Sequence, residues 1–220
     1  VKEYDLMDQE IEIINTSTRN ERIKNFFIRF KKILILILVA VILCLFGFFF
    51  YEDYKSGKKE DLANKYNFAI IEYNSGKKEN TVKTFKEIIE KKDGTYSLLA
   101  FYFLLDNDLI KSKDEVNNYF DIIINETDID KETKYLNIFK KGLFNSDFVN
   151  ENELLNILNP VIKSESIWRP HALYLMAEYY FSKNEKQKSK EFFEKVINLE
   201  NASSKIKIEA QKRIRADFSE

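Results

Sequence analysis

The residues able to do chemistry in this 220-residue chain are few and scattered. Its single histidine, His171, follows Pro170, and its single cysteine, Cys44, lies inside an apolar run. An imidazole can move a proton or hold a metal, but a structural zinc site needs several Cys or His ligands. One cysteine forms no intramolecular disulfide. His171 stands at a predicted helix start and reads as a surface or partly packed side chain. Carboxylates are plentiful, yet in strings such as KEFFEK (from Lys190) they have the spacing of solvated helix faces with i,i+4 partners. No nucleophile elbow, P-loop, dinucleotide fingerprint or zinc-helix motif occurs. The sequence therefore offers no catalytic, cofactor-binding or metal-ligating residue, and we expect neither an enzyme nor a cofactor.

Two further features have a bland and a functional reading. Trp168 either staples its helix to the preceding hairpin or anchors an interface. Asn125-Glu126-Thr127 matches the glycosylation acceptor pattern, which is short enough to arise by chance. The 35 Lys and Arg are balanced by 36 Asp and Glu, for a net charge of −1. Because both signs are interspersed, the basic footprint of a nucleic-acid-binding protein is absent. With binding left as the activity, the elements that would present a surface become the question.

The most distinct element is an anchor. Residues 33–50 read ILILILVAVILCLFGFFF, free of charge. About 18 residues at 1.5 Å rise span roughly 27 Å, close to the hydrocarbon thickness of a bilayer. Each Leu, Ile, Val or Phe favours insertion by roughly 0.3–0.6 kcal/mol, and Tyr51 and Tyr54 fall where an interfacial aromatic belt is expected. A cleavable signal peptide has a shorter apolar stretch and a small-residue cleavage site, whereas FFFYEDYKSG follows here. We expect an uncleaved transmembrane helix over residues 33–51. Arg19, Arg22, Lys24, Arg29, Lys31 and Lys32 precede it, opposed only by Glu21. Lys55, Lys58 and Lys59 follow it but are offset by Glu52, Asp53, Glu60 and Asp61. The positive-inside rule then makes residues 1–32 a cytoplasmic tail and puts residues 52–220 across the membrane, in the periplasm of a bacterium. Within that tail, IKNFFIRFKK reads either as a solvated segment whose bases set topology or as an amphipathic approach lying on the inner leaflet.

Glycine and proline are scarce, numbering 5 and 2, which favours helices over a sandwich or barrel. Beyond the anchor, apolar residues recur three or four apart. Leu62, Tyr66, Ala69, Ile70 and Tyr73 share one face, and Asn74-Ser75-Gly76 ends that helix. Further helices are predicted over 78–92, 96–105, from a Ser112 or Asp114 cap through Ile123, and over 131–144 and 152–162. The last three cover 170–181, 186–199 and 203–216. Pro170 suits a first turn, while Pro160 either kinks its helix or ends it at Asn159. The apolar 96–105 stretch is too short to span a membrane and reads as the most buried helix. Its Tyr96, Phe101, Tyr102 and Phe103 are read as core, the other reading being a groove for extended peptide.

The strings TFKEIIEKK (from Thr84), YFDIIINE (from Tyr119) and FFEKVINLE (from Phe192) share their apolar spacing. Phe85 and Phe120 stand about one helix–turn–helix period of roughly 34 residues apart. The segment WRPHALYLMAEYYFSKNEKQKSKEFFEKVINLENA resembles a tetratricopeptide repeat. With Phe193 at the aromatic position of the second helix, Ala177 falls on the first small position, Tyr180 on an aromatic one, Asn184 at the turn and Ser189 on the second small position. The same alignment on Phe85 gives Ala69, Gly76 and Thr81, with Glu72 on the aromatic position, and both copies lack the terminal proline. A basic tail, one anchor and such a domain together resemble the ancillary SecYEG translocon subunit family in its alphaproteobacterial form. The resemblance implies an all-α chain with one N-terminal transmembrane helix and a tetratricopeptide-like α-solenoid of hairpins over 52–220. It also implies an inner-membrane location and protein partners, namely Sec translocon subunits and a membrane-anchored periplasmic chaperone that helps handle exported proteins. The competing expectation is an envelope or cell-division scaffold using the same repeat surface.

Overall fold

A computed structural model describes the backbone of residues 2–218 and the side chains of residues 21 and 24–218. Those residues form nine helices and no strand: α1 (Lys2–Asn74), α2 (Lys78–Ile89), α3 (Tyr96–Asp106), α4 (Lys113–Glu126), α5 (Lys131–Asn145), α6 (Glu151–Ile162), α7 (Arg169–Ser182), α8 (Lys186–Asn198) and α9 (Ser204–Phe218). The chain divides into two units, residues 1–60 and 61–220.

The first unit consists of α1 residues. Its apolar stretch reaches a mean hydropathy of 3.4 over an 18-residue window, none of it buried, which is long and apolar enough to cross a membrane. Cys44 lies exposed within it. The sequence reading separated a tail, an anchor and a first soluble helix at Leu62, but α1 runs through all three. Nothing between them stops a helix. There is no proline and no glycine before Gly47, and the isolated Gly57 weakens a helix by only about 1 kcal/mol among Lys, Glu and Asp.

In the second unit, local chemistry sets the helix ends. The Ser112 hydroxyl accepts from the Glu115 N–H, and the Asp130 carboxylate accepts from the Glu132 and Thr133 N–H groups. Asn150 and Glu153 cap each other reciprocally, which starts α6 at Glu151. Pro160 neither ends α6 at Asn159 nor stops it short of Ile162. The carbonyl it leaves without a helical donor is that of Asn156, an exposed residue that water can serve. The helix expected to reach Lys92 stops at Ile89, because Lys92 turns to φ 57 and closes on the Ile89 carbonyl.

Three turns share one device. Gly76, Asp108 and Asn184 take positive φ (83, 54 and 61), and the next residue's N–H reaches back to Glu72, Leu104 and Tyr180 respectively. This is the C-terminal motif that glycine, asparagine and aspartate adopt at least strain. Packing across the first and last of these turns is equivalent. Thr81 donates its hydroxyl to the Ala69 carbonyl at 3.2 Å, and Ser189 donates to that of Ala177 at 2.9 Å. All four residues are fully buried, as are Phe85 and Phe193. Glu72 departs from this pattern, standing where the later hairpin has Tyr180, and its carboxylate accepts from Asn80 at 3.3 Å.

Each helix from α2 to α9 packs on its neighbour in sequence, and α2 also meets α4, α5 meets α7 and α7 meets α9. The main core runs from Leu62 and Ala69 through Phe85, Phe101, Phe120, Leu154 and Met176, and a smaller one gathers Leu173, Ala177, Phe193, Val196, Ile206 and Ala210. Phe101 is fully buried against Phe120, with ring centroids 4.8 Å apart. The Tyr102 hydroxyl donates to Asn137 on α5 at 2.5 Å, with the Lys140 ammonium 3.7 Å above its ring. The stretch expected to be most buried therefore is core at Ser97, Ala100, Phe101 and Leu104, while Tyr102 and Phe103 remain half-buried.

Candidate functional site

The site is built on one face of α7. Pro170 sits in its first turn, and residues 171, 174, 175 and 178 follow at helical spacing, so His171, Tyr174, Leu175 and Glu178 line up. The start of α7 is fixed by Ser166, whose hydroxyl donates to Glu132 of α5 at 2.7 Å and accepts from the Trp168 N–H at 3.1 Å. Trp168 then lies nearly parallel to Phe139 of α5, at 6.0 Å and 17°. It acts as a staple between helices. His171 packs into the same cluster, 5.3 Å from Trp168 and 6.0 Å from Phe139, with its Nδ1 buried and without a hydrogen-bond partner.

The other wall comes from α9. Arg213 donates two hydrogen bonds to Glu178, both at 2.8 Å, and a second ion pair joins it to Asp217. The carboxylates push the Arg213 guanidinium up from its ordinary value, with the Glu178 hydrogen bond first among the causes. Burial, with the negative charge of Glu178 next, pushes the Tyr174 phenol up to about 12. A planar guanidinium held bidentately fixes the spacing of α7 and α9. Between these walls opens a groove of about 410 Å³. Its floor is apolar, from Phe139, Leu143, Leu175 and Ile206, and its polar groups are those of His171, Tyr174, Glu178, Ser203, Lys205 and Glu209. Leu143 is half exposed there, which marks a surface able to take an apolar side chain.

A second hollow, about 640 Å³, lies between α6, α7 and α8, where Lys163 and Lys195 rim a floor of Leu155, Leu173 and Phe192. Among the described residues no group of His, Cys, Asp and Glu is arranged to hold a metal ion. The Thr127 hydroxyl of the Asn125-Glu126-Thr127 string donates to the Ile122 carbonyl, and Glu126 pairs with Lys92 at 2.5 Å, so this string closes a turn between helices.

Ion pairs tie the hairpins together on the side of α2, α4, α6 and α8. Lys86 meets Glu115 at 2.5 Å, and Glu151 accepts from Tyr180 at 2.8 Å and from Lys188 at 2.9 Å. These bonds, that of Lys188 first and Tyr180 next, hold the Glu151 carboxyl below the usual carboxylate range. A depressed folded value means stability that is present above the unfolded value of about 4.3 and lost as pH falls through the folded value. Glu151→Gln removes this term. Its Tm is therefore expected to lie below that of the parent at pH 7, with the two curves converging as pH drops below about 4.3. Thermal melts across that range read the effect directly.

Of the groove residues only His171 was singled out in the sequence, as a surface or partly packed side chain, while the aromatic string 96–103 drew attention as the possible groove. The signal that finds them is the polar-apolar face of α7 at residues 171, 174, 175 and 178, which its many apolar neighbours conceal. No family model, curated protein or solved structure matches this chain.

Proposed function

We propose that this chain is a membrane-tethered protein-binding module that acts by holding partners and not by catalysis. One observation carries the reading: α5, α7 and α9, alternate helices of the packed series, together present an open groove with an apolar floor and a polar rim. Hairpins with equivalent turns and equivalent buried hydroxyl bonds support a tetratricopeptide-like α-solenoid over residues 52–220. In such a stack, alternate helices line one continuous face. An extended segment of a partner lays an apolar side chain on Leu143 and Leu175 and its polar groups along His171, Tyr174 and Glu209. Tethering by the anchor concentrates the groove near a membrane-embedded partner, so weak contacts suffice.

The basic residues before the anchor support, by the positive-inside rule, a groove outside the cytoplasm, and a bacterial inner membrane is what the family resemblance implies. The resemblance to the ancillary SecYEG translocon subunit family makes the translocon, a membrane-anchored chaperone and newly exported chains the partners of choice. A photo-crosslinking residue at Leu143 or Leu175, in the full chain in native membranes, tests this. Crosslinks to translocon subunits or exported proteins are expected, and those from position 175 fall in the Leu143→Glu variant. Crosslinks confined to envelope-synthesis proteins move the function to a scaffold, and none at either position removes the groove as the binding surface.

A further inference from the structure

The last turns of α1 have two unlike sides. One packs inward: Tyr66 lies 5.2 Å from Phe85, Tyr73 lies 5.0 Å from Phe103, and the Ala69 carbonyl takes the Thr81 hydroxyl. The other carries Asp61, Asn64, Phe68 and Ile71, all exposed. Phe68 and Ile71 are 59% and 61% exposed and one turn apart, and no described residue buries them. The end helix of a packed helical series needs a polar outer face to stay soluble. α9 at the other end sets Lys205, Glu209, Gln211 and Lys212 around a single exposed large apolar residue, Ile208, whereas α1 offers two within one turn.

Asp61, Asn64, Phe68 and Ile71 alternate steps of three and four, the spacing of a coiled-coil seam. Followed back along the sequence, the same spacing picks out Tyr54 and Gly57, then Gly47 and Phe50, then Ala40 and Leu43. A side chain added at Gly47 or Gly57 would meet nothing within 4 Å among the described residues. Glycine weakens a helix interior, and small residues at such positions suit the close approach of a second helix.

The residues beside the seam decide what the second helix is. On one flank the seven-residue repeat places Asp53 and Glu60, and on the other Lys58 and Lys65. In two parallel helices each flank residue faces the one five positions later in the other helix. Asp53 then meets Lys58 of a second copy, and Glu60 meets Lys65, opposite charges both times. Parallel is also the only arrangement open to two copies anchored the same way in one membrane. We propose that the chain self-associates through α1, two copies packing in parallel along the face of Asp61, Asn64, Phe68 and Ile71. Asn64 on the seam sets the register, as a buried polar residue does in coiled coils. Asp61 is held to Lys65 of its own chain at 3.1 Å, which keeps its charge compensated. This interface is distinct from the groove and stands whether or not the groove binds a partner.

The test uses the full-length chain in native membranes with Cys44→Ser, so that one introduced cysteine reports at a time. Under mild oxidation, Phe68→Cys and Ile71→Cys are expected to give disulfide dimers several-fold more abundant than Ser56→Cys and Lys59→Cys, which the same repeat puts off the seam. Equal yields at all four positions, or no dimer, overturn the proposal. A second variant guards against accidental collision. With the cysteine at Asn64, the pair Phe68→Glu and Ile71→Glu is expected to abolish the dimer while leaving helix content unchanged, since both side chains are exposed in the single chain. A dimer that survives that pair overturns the proposal equally.

Discussion

Phe193→Ala is expected to destabilise the second unit by about 3–5 kcal/mol, the range for truncating a fully buried phenylalanine. Phe193 has no exposed surface, and its ring lies 5.2 Å from Tyr174 and 6.4 Å from Phe218. It is the largest member of the small core that joins α7, α8 and α9. Removing it leaves a cavity between helices that meet few others, so the loss is not shared evenly. Local opening of α8 and α9 should drop in free energy, while α2 to α6, which belong to the main core, keep their protection. Hydrogen exchange on the full chain, resolved by helix, measures this. Phe85→Ala is the matched control, because Phe85 is equally buried against Tyr66 and Phe103 but sits in the main core. Its loss is expected to reach α2 and α3 and to leave α8 and α9 protected. If Phe193→Ala lowers protection uniformly across both cores, the domain behaves as one cooperative block.

These two phenylalanines also show what the sequence makes legible. A large apolar residue every three or four positions, with a small residue before it and a turn former between, requires a helical hairpin whichever neighbours it meets. Ala69, Gly76, Thr81 and Phe85 were matched to Ala177, Asn184, Ser189 and Phe193 through the repeat resemblance, and Thr81 and Ser189 make equivalent buried hydroxyl bonds. Helix ends were legible where a side chain caps them, as at Ser112, and were missed where backbone geometry decides, as at Lys92. The continuity of α1 was missed for a related reason. The first soluble helix was read from Leu62, where its apolar face begins, yet the polar residues between Phe50 and Leu62 are good helix formers and nothing among them breaks a helix. The groove was the least legible part, since it depends on which faces of α5, α7 and α9 converge. Arg213 and Glu178 are far apart in sequence and ordinary in type, and only packing reveals that they join two walls.

Gly142→Ala is expected to destabilise the domain although alanine is the better helix former by about 1 kcal/mol. Gly142 lies buried inside α5 where that helix crosses α6, and a Cβ there would stand 2.4 Å from Leu158 Cδ2 and 2.9 Å from its Cγ. Leu158 has no exposed surface and cannot swing into solvent. The methyl group must therefore push α5 from α6 or force Leu158 off its rotamer, and overpacking of this kind costs about 1–3 kcal/mol. That outweighs the gain in helix propensity. The sign of the effect depends on Leu158 alone, which makes a double-mutant cycle decisive. Leu158→Ala by itself loses about 2–5 kcal/mol through the cavity it leaves. In that background Gly142→Ala fills part of the cavity and keeps its propensity gain, so it should stabilise. The coupling between the two sites is then favourable and falls within the 0.5–3 kcal/mol seen for residues in contact. Urea melts of the four variants give the cycle. A Gly142→Ala variant as stable as the parent would mean that α5 and α6 cross less closely than the packing of Leu158 on Gly142 requires. The same crossing sets the position of Leu143 and Phe139 on α5, so Gly142→Ala should also weaken crosslinking from Leu143 in the groove.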